Sequence, residues 1–190
     1  MWCCLVGSEM CIRDSVSALI TGIAAVHYLY MRDAYAAMGD EGVTAFRYVD
    51  WILTVPLMCV EFYLILQKAG AQKSLLWNMI FLSTVMLVTG YVGEAGLGNA
   101  AVWGGVSGAA YFAICYILWF GSAGELANKA GGAVLEAFTA LKWFVLVGWA
   151  IYPIGYMAGT EGWYSGIFGG LDGSMPVSYT HLRAHETTPH

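Results

Sequence analysis

The chain has 190 residues, of which 59% are hydrophobic and only 11% are charged, and its formal net charge is −5. Soluble domains usually contain about 45–50% apolar and about 25% charged residues, so this composition indicates a membrane protein. The few basic residues are scattered, which argues against a nucleic-acid partner. The five cysteines show neither a disulfide framework nor metal-ligand spacing, so we expect no metal site.

Residues 1–15 and 176–190 are expected not to be natural protein sequence. Residues 5–14 can be back-translated into one strand of a DNA element, and its reverse complement, read in a shifted frame, encodes residues 177–186. Such a double match is very improbable by chance and resembles a translated sequencing-library adaptor. Because adaptor-derived sequence does not belong to a natural fold, we predict that the natural segment covers about residues 16–175.

Five segments are long and apolar enough to cross a membrane, which takes about 20 residues as a helix. Short polar or glycine-rich links join these segments, so successive helices should be antiparallel neighbours. A helical bundle also satisfies every backbone hydrogen bond inside lipid. We therefore predict an all-α, multi-pass membrane protein with helices at about 16–32, 45–67, 74–96, 100–121 and 133–158.

The lysines orient the predicted bundle. Lys68 and Lys73 lie in the second link and Lys129 in the fourth, whereas the first link is mainly acidic. The positive-inside rule places the lysine-bearing links in the cytoplasm. The helix predicted over 45–67 then runs from the outside to the inside.

That same helix carries charged residues within the segment RYVDWILTVPLMCVEFYLIL, residues 47–66. At about 100° per residue, Asp50, Thr54 and Glu61 share one helix face, and the two carboxyl groups are about 16 Å apart along the axis. Charged groups at membrane depth are costly unless they are paired or lie in a protein interior, and they commonly mark ion or proton pathways. The shared face suggests a proton relay.

A structural interpretation competes with the relay. Asp50 could form an ion pair with Arg47, three residues earlier, while Glu61 stays protonated and inert. However, no basic residue lies within one turn of Glu61 along the helix. A carboxyl group in such surroundings is suited to proton exchange, so the pattern favours the relay.

The segment 47–66 resembles the third helix of proteorhodopsin-type microbial rhodopsins, which are seven-helix proteins that carry retinal on a lysine. The resemblance includes TGIAAVHYLYMRDAY, VMLVTGYVGEAGLG and LVGWAIYPIGYMAG, and it covers essentially all of residues 16–160. It implies a seven-transmembrane-helix rhodopsin bundle of which about five helices, the second to the sixth, are present. It also implies a light-driven outward proton pump in a bacterial inner membrane, and not an enzyme.

The resemblance assigns roles to individual residues. Asp50 matches the Schiff-base counterion and proton acceptor, Thr54 its neighbour, and Glu61 the cytoplasmic proton donor. These identities favour protons over sodium or chloride as the transported ion. His27 matches a histidine that hydrogen-bonds the counterion, and its predicted depth in the membrane is similar to that of Asp50. Arg47 completes the predicted proton-transfer site.

The resemblance also predicts a retinal pocket. Trp51 and the cluster Trp149, Tyr152 and Pro153 match its aromatic walls, and Pro153 should bend its helix by removing one backbone hydrogen bond. Met58 stands where family members with an apolar residue absorb green light, so we expect green absorption. Without the resemblance, aromatic residues at this spacing would indicate ordinary packing.

We expect that the first and seventh family helices, the latter with the retinal lysine, have no counterpart in residues 16–175. Lys142 is the only lysine inside a predicted span. It matches no lysine of the family motif, and we expect it to extend to the inner interface. The chain alone should therefore bind retinal only noncovalently, if at all, and should not pump. Glu94 also matches a family residue and could provide polar packing near the outer end.

Three functions remain open for the intact protein: a light-driven proton pump, a photosensory rhodopsin that signals to a transducer, and a retinal-free helical membrane protein. Glu61 favours the pump, because sensors commonly lack a carboxylic acid at that position. The expected partners are retinal, protons and membrane lipid. Analogy with the family adds further copies of the chain, in a homo-oligomer, to these expected partners.

Overall fold

The computed structural model describes residues 2–38 and 40–159, and within these ranges all regular secondary structure is helical. This confirms the predicted all-α fold class. One π-helical segment, called the π turn below, interrupts the last long helix. The elements are α1 (Trp2–Met38), α2 (Asp40–Gln67), α3 (Lys73–Glu94), α4 (Ala100–Trp119), α5 (Ser122–Ala130), α6 (Gly132–Trp143), the π turn (Phe144–Gly148) and α7 (Trp149–Gly159).

Four stretches of the described residues are long and apolar enough to cross a membrane, which makes this a multi-pass membrane protein. They are Val43–Gln67, Lys73–Glu94, Ala100–Ala130 and Gly132–Met157. The predicted fifth span, 16–32, lies inside α1 and is not among them. Several polar side chains dilute its apolar character, Arg32 is its last residue, and Asp33 follows directly.

The helices differ from the predicted bounds mainly at the links. α1 ends at Met38 and α2 begins at Asp40, so most of the predicted first link is helical. That link is rich in alanine and other good helix formers, which explains the extension. The predicted fourth link contains α5, where Glu125 in the first turn and Lys129 in the last turn complement the helix dipole.

The expected adaptor origin of the two ends stays a prediction. α1 begins at Trp2, inside the expected segment 1–15. A helix can form in either kind of sequence, so this does not test the origin. Residues 176–190 lie outside the described part of the chain.

Neighbouring helices form the packing of the bundle: α1 lies against α2, α2 against α3, and α3 against α4. An apolar core joins α2, α3, α4 and α6. Its most deeply buried side chains include Phe62, Leu66, Met79, Leu118 and Phe138. Large apolar side chains on the outer faces are exposed, among them Trp77, Phe81, Phe112 and Phe120. Exposed apolar surface of this extent is typical of contact with lipid.

Candidate functional site

The face of α2 that turns toward α1 carries the two predicted relay carboxyl groups. Asp50 is 2% exposed and Thr54 is 6% exposed. The Thr54 hydroxyl donates a hydrogen bond to the backbone carbonyl of Asp50 at 2.9 Å, so it is tied to its own helix. Glu61 is half-buried three turns further along α2.

Asp50 lies beside His27 of α1. The Oδ1 atom of Asp50 is 3.2 Å from Nδ1 of His27, a distance typical of an ion pair when the histidine is protonated. The same ring nitrogen lies 3.0 Å from the carbonyl oxygen of Ile23. Oδ1 is buried and has no hydrogen-bond partner among the described residues. Nδ1 of His27 therefore bonds to the Ile23 carbonyl. Oδ1 of Asp50 remains without a hydrogen-bond donor among the described residues.

Arg47 does not pair with Asp50, so the competing interpretation, in which these two residues form a structural ion pair, is wrong. Its guanidinium donates instead to Oε1 of Glu94 in α3, at 3.0 Å. The Tyr48 hydroxyl donates to the other oxygen of Glu94 at 2.9 Å, and the Thr44 hydroxyl lies 3.5 Å from Oε1. Three donor side chains of α2 thus surround the carboxylate of Glu94. Asp50, three residues after Arg47 on the same helix, does not have this arrangement. The contacts of Glu94 join α2 to α3.

Glu61 has a polar partner that the sequence analysis did not identify. The hydroxyl of Ser17, in α1, donates a hydrogen bond to its Oε1 atom. Both carboxyl groups of the relay face therefore contact a polar side chain of α1: His27 at Asp50 and Ser17 at Glu61.

Aromatic side chains join α2 to α7 next to Asp50. The rings of Trp51 and Tyr152 meet edge to face with centroids 4.5 Å apart. Tyr48 packs against Trp51 from the same helix, with centroids 5.1 Å apart. Trp149 is half-buried against the apolar core. Pro153 lies within α7, as predicted, and Met58 is half-buried in α2.

Lys142 packs on aromatic rings near the end of α6. Its Nζ atom is 4.4 Å from the centroid of Trp119 and 5.8 Å from that of Phe138. A cation over an aromatic face is stabilised by the ring quadrupole. The ammonium group is therefore engaged by α4 and α6, and the predicted extension to the membrane interface stays a prediction.

Known proteins with the same features were found by sequence and by structure. A family model described as bacteriorhodopsin-like protein matches residues 8–172. The chain is 45% identical over 148 residues to the green-light absorbing proteorhodopsin of Gamma-proteobacterium EBAC31A08, covering 76% of this chain and 58% of that protein. It is 45% identical over 146 residues to the blue-light absorbing proteorhodopsin of Gamma-proteobacterium Hot 75m4, with the same two shares. The chain thus spans less than two thirds of the length of both relatives.

A solved structure supports the same relationship. The crystal structure of a blue light-absorbing proteorhodopsin from Med12 matches with a TM-score of 0.68 and 42% sequence identity. The match covers 81% of this chain and 68% of that one. The similarity therefore extends to the arrangement of the helices.

Proposed function

Because the chain belongs to the bacteriorhodopsin-like protein family, which consists of rhodopsins and not of enzymes, we propose that it forms part of a light-driven pump that uses retinal and moves protons outward across a bacterial inner membrane. One observation carries this proposal. Asp50 and Glu61 lie along one face of α2, and each contacts a polar side chain of α1. Two carboxyl groups arranged along the membrane normal can pass protons in one direction.

Asp50 is suited to accept a proton. Its Oδ1 atom is buried without a hydrogen-bond donor among the described residues, and such an atom favours a nearby positive charge. Retinal bound through a lysine supplies a cationic nitrogen whose surroundings change on illumination. With retinal bound, Asp50 would balance its positive charge and would take the transferred proton on its buried oxygen, with the His27 ring 3.2 Å away.

Glu61 is suited to supply a proton from the cytoplasmic side. Its carboxyl group hydrogen-bonds to Ser17 and has no ion pair with a basic residue in the described part of the chain. A carboxyl group that is held by a neutral hydroxyl can carry a proton and release it. The alternative photosensory function does not require a carboxyl group there.

The aromatic contacts support a retinal pocket next to Asp50. Trp51 follows Asp50 directly, and its ring touches Tyr152 of α7. We propose that these two rings, together with Trp149, Pro153 and Met58, enclose the chromophore. The apolar Met58 is the basis for expecting green absorption.

None of the lysines in the described residues is suited to attach retinal. Lys68 and Lys73 flank the link between α2 and α3, and Lys129 lies in α5. Lys142 is engaged with Trp119. We therefore propose that the attachment lysine is supplied from outside residues 2–159, and that the 190-residue chain alone does not pump.

A hybrid protein tests the proposed function. In this hybrid, the matching segment of the present chain replaces the aligned 148 residues of the green-light absorbing proteorhodopsin, which supplies the remaining helices. Bacterial cells that express the hybrid with added retinal should acidify the medium in light, and a protonophore should abolish the effect. A pigment that forms without light-driven acidification would contradict pumping, and the absence of a pigment would contradict the retinal pocket.

A further inference from the structure

The long helical segment that carries the proposed retinal-pocket aromatics contains a π turn at Phe144–Gly148. A π turn contains one extra residue relative to the α-helix, and such turns are frequent at functional sites. One extra residue rotates everything that follows by about 100° around the helix axis. Trp149 is the first residue after the turn, and Tyr152 follows within one further turn. The directions in which both side chains point therefore depend on the π turn.

A buried tyrosine from another helix is bonded to this turn. Tyr111 of α4 is 4% exposed, and its hydroxyl donates a hydrogen bond to the carbonyl oxygen of Leu146 at 2.7 Å. The carbonyl oxygen of Val145 lies 3.4 Å from the same hydroxyl and also receives the backbone N–H of Trp149. The hydroxyl has one proton, so the shorter contact, to Leu146, is the main bond.

This bond favours the π turn over a regular α-helix. Hydrogen bonds within a π turn pair the carbonyl groups less regularly than those of an α-helix, and a buried carbonyl without a donor is costly. Val145 is 1% exposed and Leu146 is partly buried, so the inner side of the turn has limited access to water. The hydroxyl of Tyr111 supplies a donor to the Leu146 carbonyl within this turn.

We propose that Tyr111 is a positioning residue: its hydrogen bond to Leu146 holds the π turn and so sets the direction in which Trp149 and Tyr152 face the retinal site. The relevance to retinal rests on the proposed function. The ring of Tyr152 contacts Trp51, the residue next to Asp50. A change at Tyr111 in α4 is therefore transmitted through α7 to the surroundings of the proton acceptor in α2.

Amide hydrogen exchange tests the bond without retinal. The full 190-residue chain is placed in lipid nanodiscs as the wild type, as Tyr111→Phe and as Tyr116→Phe. Tyr116 lies on the same helix and is 63% exposed, so its variant is a matched control. Loss of the hydroxyl at position 111 should speed exchange of the amides of residues 144–150 by about tenfold, because local opening becomes easier. Equal exchange in the two variants would overturn the proposal.

Deletion of Val147 tests the same idea at the π turn itself. Val147 is 58% exposed and belongs to the π turn, so its removal should restore α-helical register at little packing cost. In the retinal-loaded hybrid, Tyr111→Phe should shift the absorption maximum and Tyr116→Phe should not, because an α-helix over the same five residues would turn Trp149 and Tyr152 by about 100°. The deletion removes the extra residue and keeps both side chains in their wild-type direction, so Tyr111→Phe should no longer shift the maximum when Val147 is also deleted. An equal shift with and without Val147 would overturn the proposal. A wild-type hybrid without pigment would contradict the proposed function, whereas the exchange experiment would still decide on the role of Tyr111.

Discussion

The hydroxyl of Ser17 in α1 donates a hydrogen bond to the carboxyl group of Glu61 in α2. Ten residues further along α1, His27 contacts Asp50. The two helices are antiparallel, so the pair of polar residues on α1 faces the pair of carboxyl groups on α2. α1 therefore contacts both carboxyl groups of the proposed proton pathway.

Replacement of Ser17 by alanine should slow the recovery of the hybrid after a flash. A hydrogen bond contributes about 1 kcal/mol, so loss of the bond that positions Glu61 should slow recovery by about fivefold. Glu61→Gln removes the donor itself and should slow recovery by about a hundredfold or more. Flash absorption spectroscopy of the retinal-loaded hybrid measures both rates.

Thr21→Val is the matched control for Ser17→Ala. The Thr21 hydroxyl donates to the carbonyl oxygen of Ser17 within α1 at 3.0 Å and is exposed. Its replacement should leave the recovery rate unchanged. If Ser17→Ala recovers as fast as Thr21→Val, the bond to Glu61 does not assist proton transfer.

The position of Ser17 could have been predicted from the sequence. Glu61 lies eleven residues after Asp50, and in an antiparallel neighbour its partner should lie about eleven residues before His27, at residue 16 or 17. The helical periodicity that places Asp50 and Glu61 on one face makes this count possible. The depth match of His27 with Asp50 thus extends to Ser17 and Glu61.

The partner of Arg47 could not be predicted in this way. Asp50 is three residues away along the same helix, so local spacing points to it. Glu94 is 47 residues away along the chain, and its contact depends on how α2 packs on α3. The π turn is a similar case, because no residue type in Phe144–Gly148 demands it and a buried hydroxyl from α4 supports it.

Replacement of Glu94 by alanine should destabilise the packing of α2 on α3. The Arg47 and Glu94 side chains are 16% and 21% exposed, so the alanine variant leaves a largely buried guanidinium and a tyrosine hydroxyl without their acceptor. We expect the free energy of unfolding of the hybrid to fall by about 1–3 kcal/mol. Unfolding in a denaturing detergent, followed by circular dichroism, measures this change.

Asp33→Ala is the control for Glu94→Ala. Asp33 pairs with Arg32, but these side chains are 71% and 65% exposed. Solvent screening limits such a pair to less than about 1 kcal/mol. Equal losses in the two variants would show that the Glu94 cluster does not hold α2 on α3.

Gly93 should not tolerate alanine, because α3 approaches its neighbours closely at this residue. A Cβ atom there would overlap the hydroxyl oxygen of Tyr156 and would lie 3.2 Å from the Cβ atom of Trp103. Overpacking of this kind costs about 1–3 kcal/mol. The unfolding assay on Gly93→Ala in the hybrid measures the cost.

Gly105→Ala provides the comparison for Gly93→Ala. A Cβ atom at Gly105 would meet nothing within 4 Å in the described structure. Alanine is favoured over glycine in a helix by about 1 kcal/mol, so this variant should be as stable as the wild type or more stable. Similar stability of Gly93→Ala and Gly105→Ala would contradict the close approach at Gly93.

The most direct test of the proton relay is the light-minus-dark infrared difference spectrum of the retinal-loaded hybrid. Illumination should produce a carboxylic acid C=O band as Asp50 takes up a proton. Asp50→Asn should abolish this band, whereas Asp33→Asn, at an exposed position, should retain it. A carboxylic acid band that persists unchanged in Asp50→Asn would show that another group accepts the proton, and it would contradict the central claim.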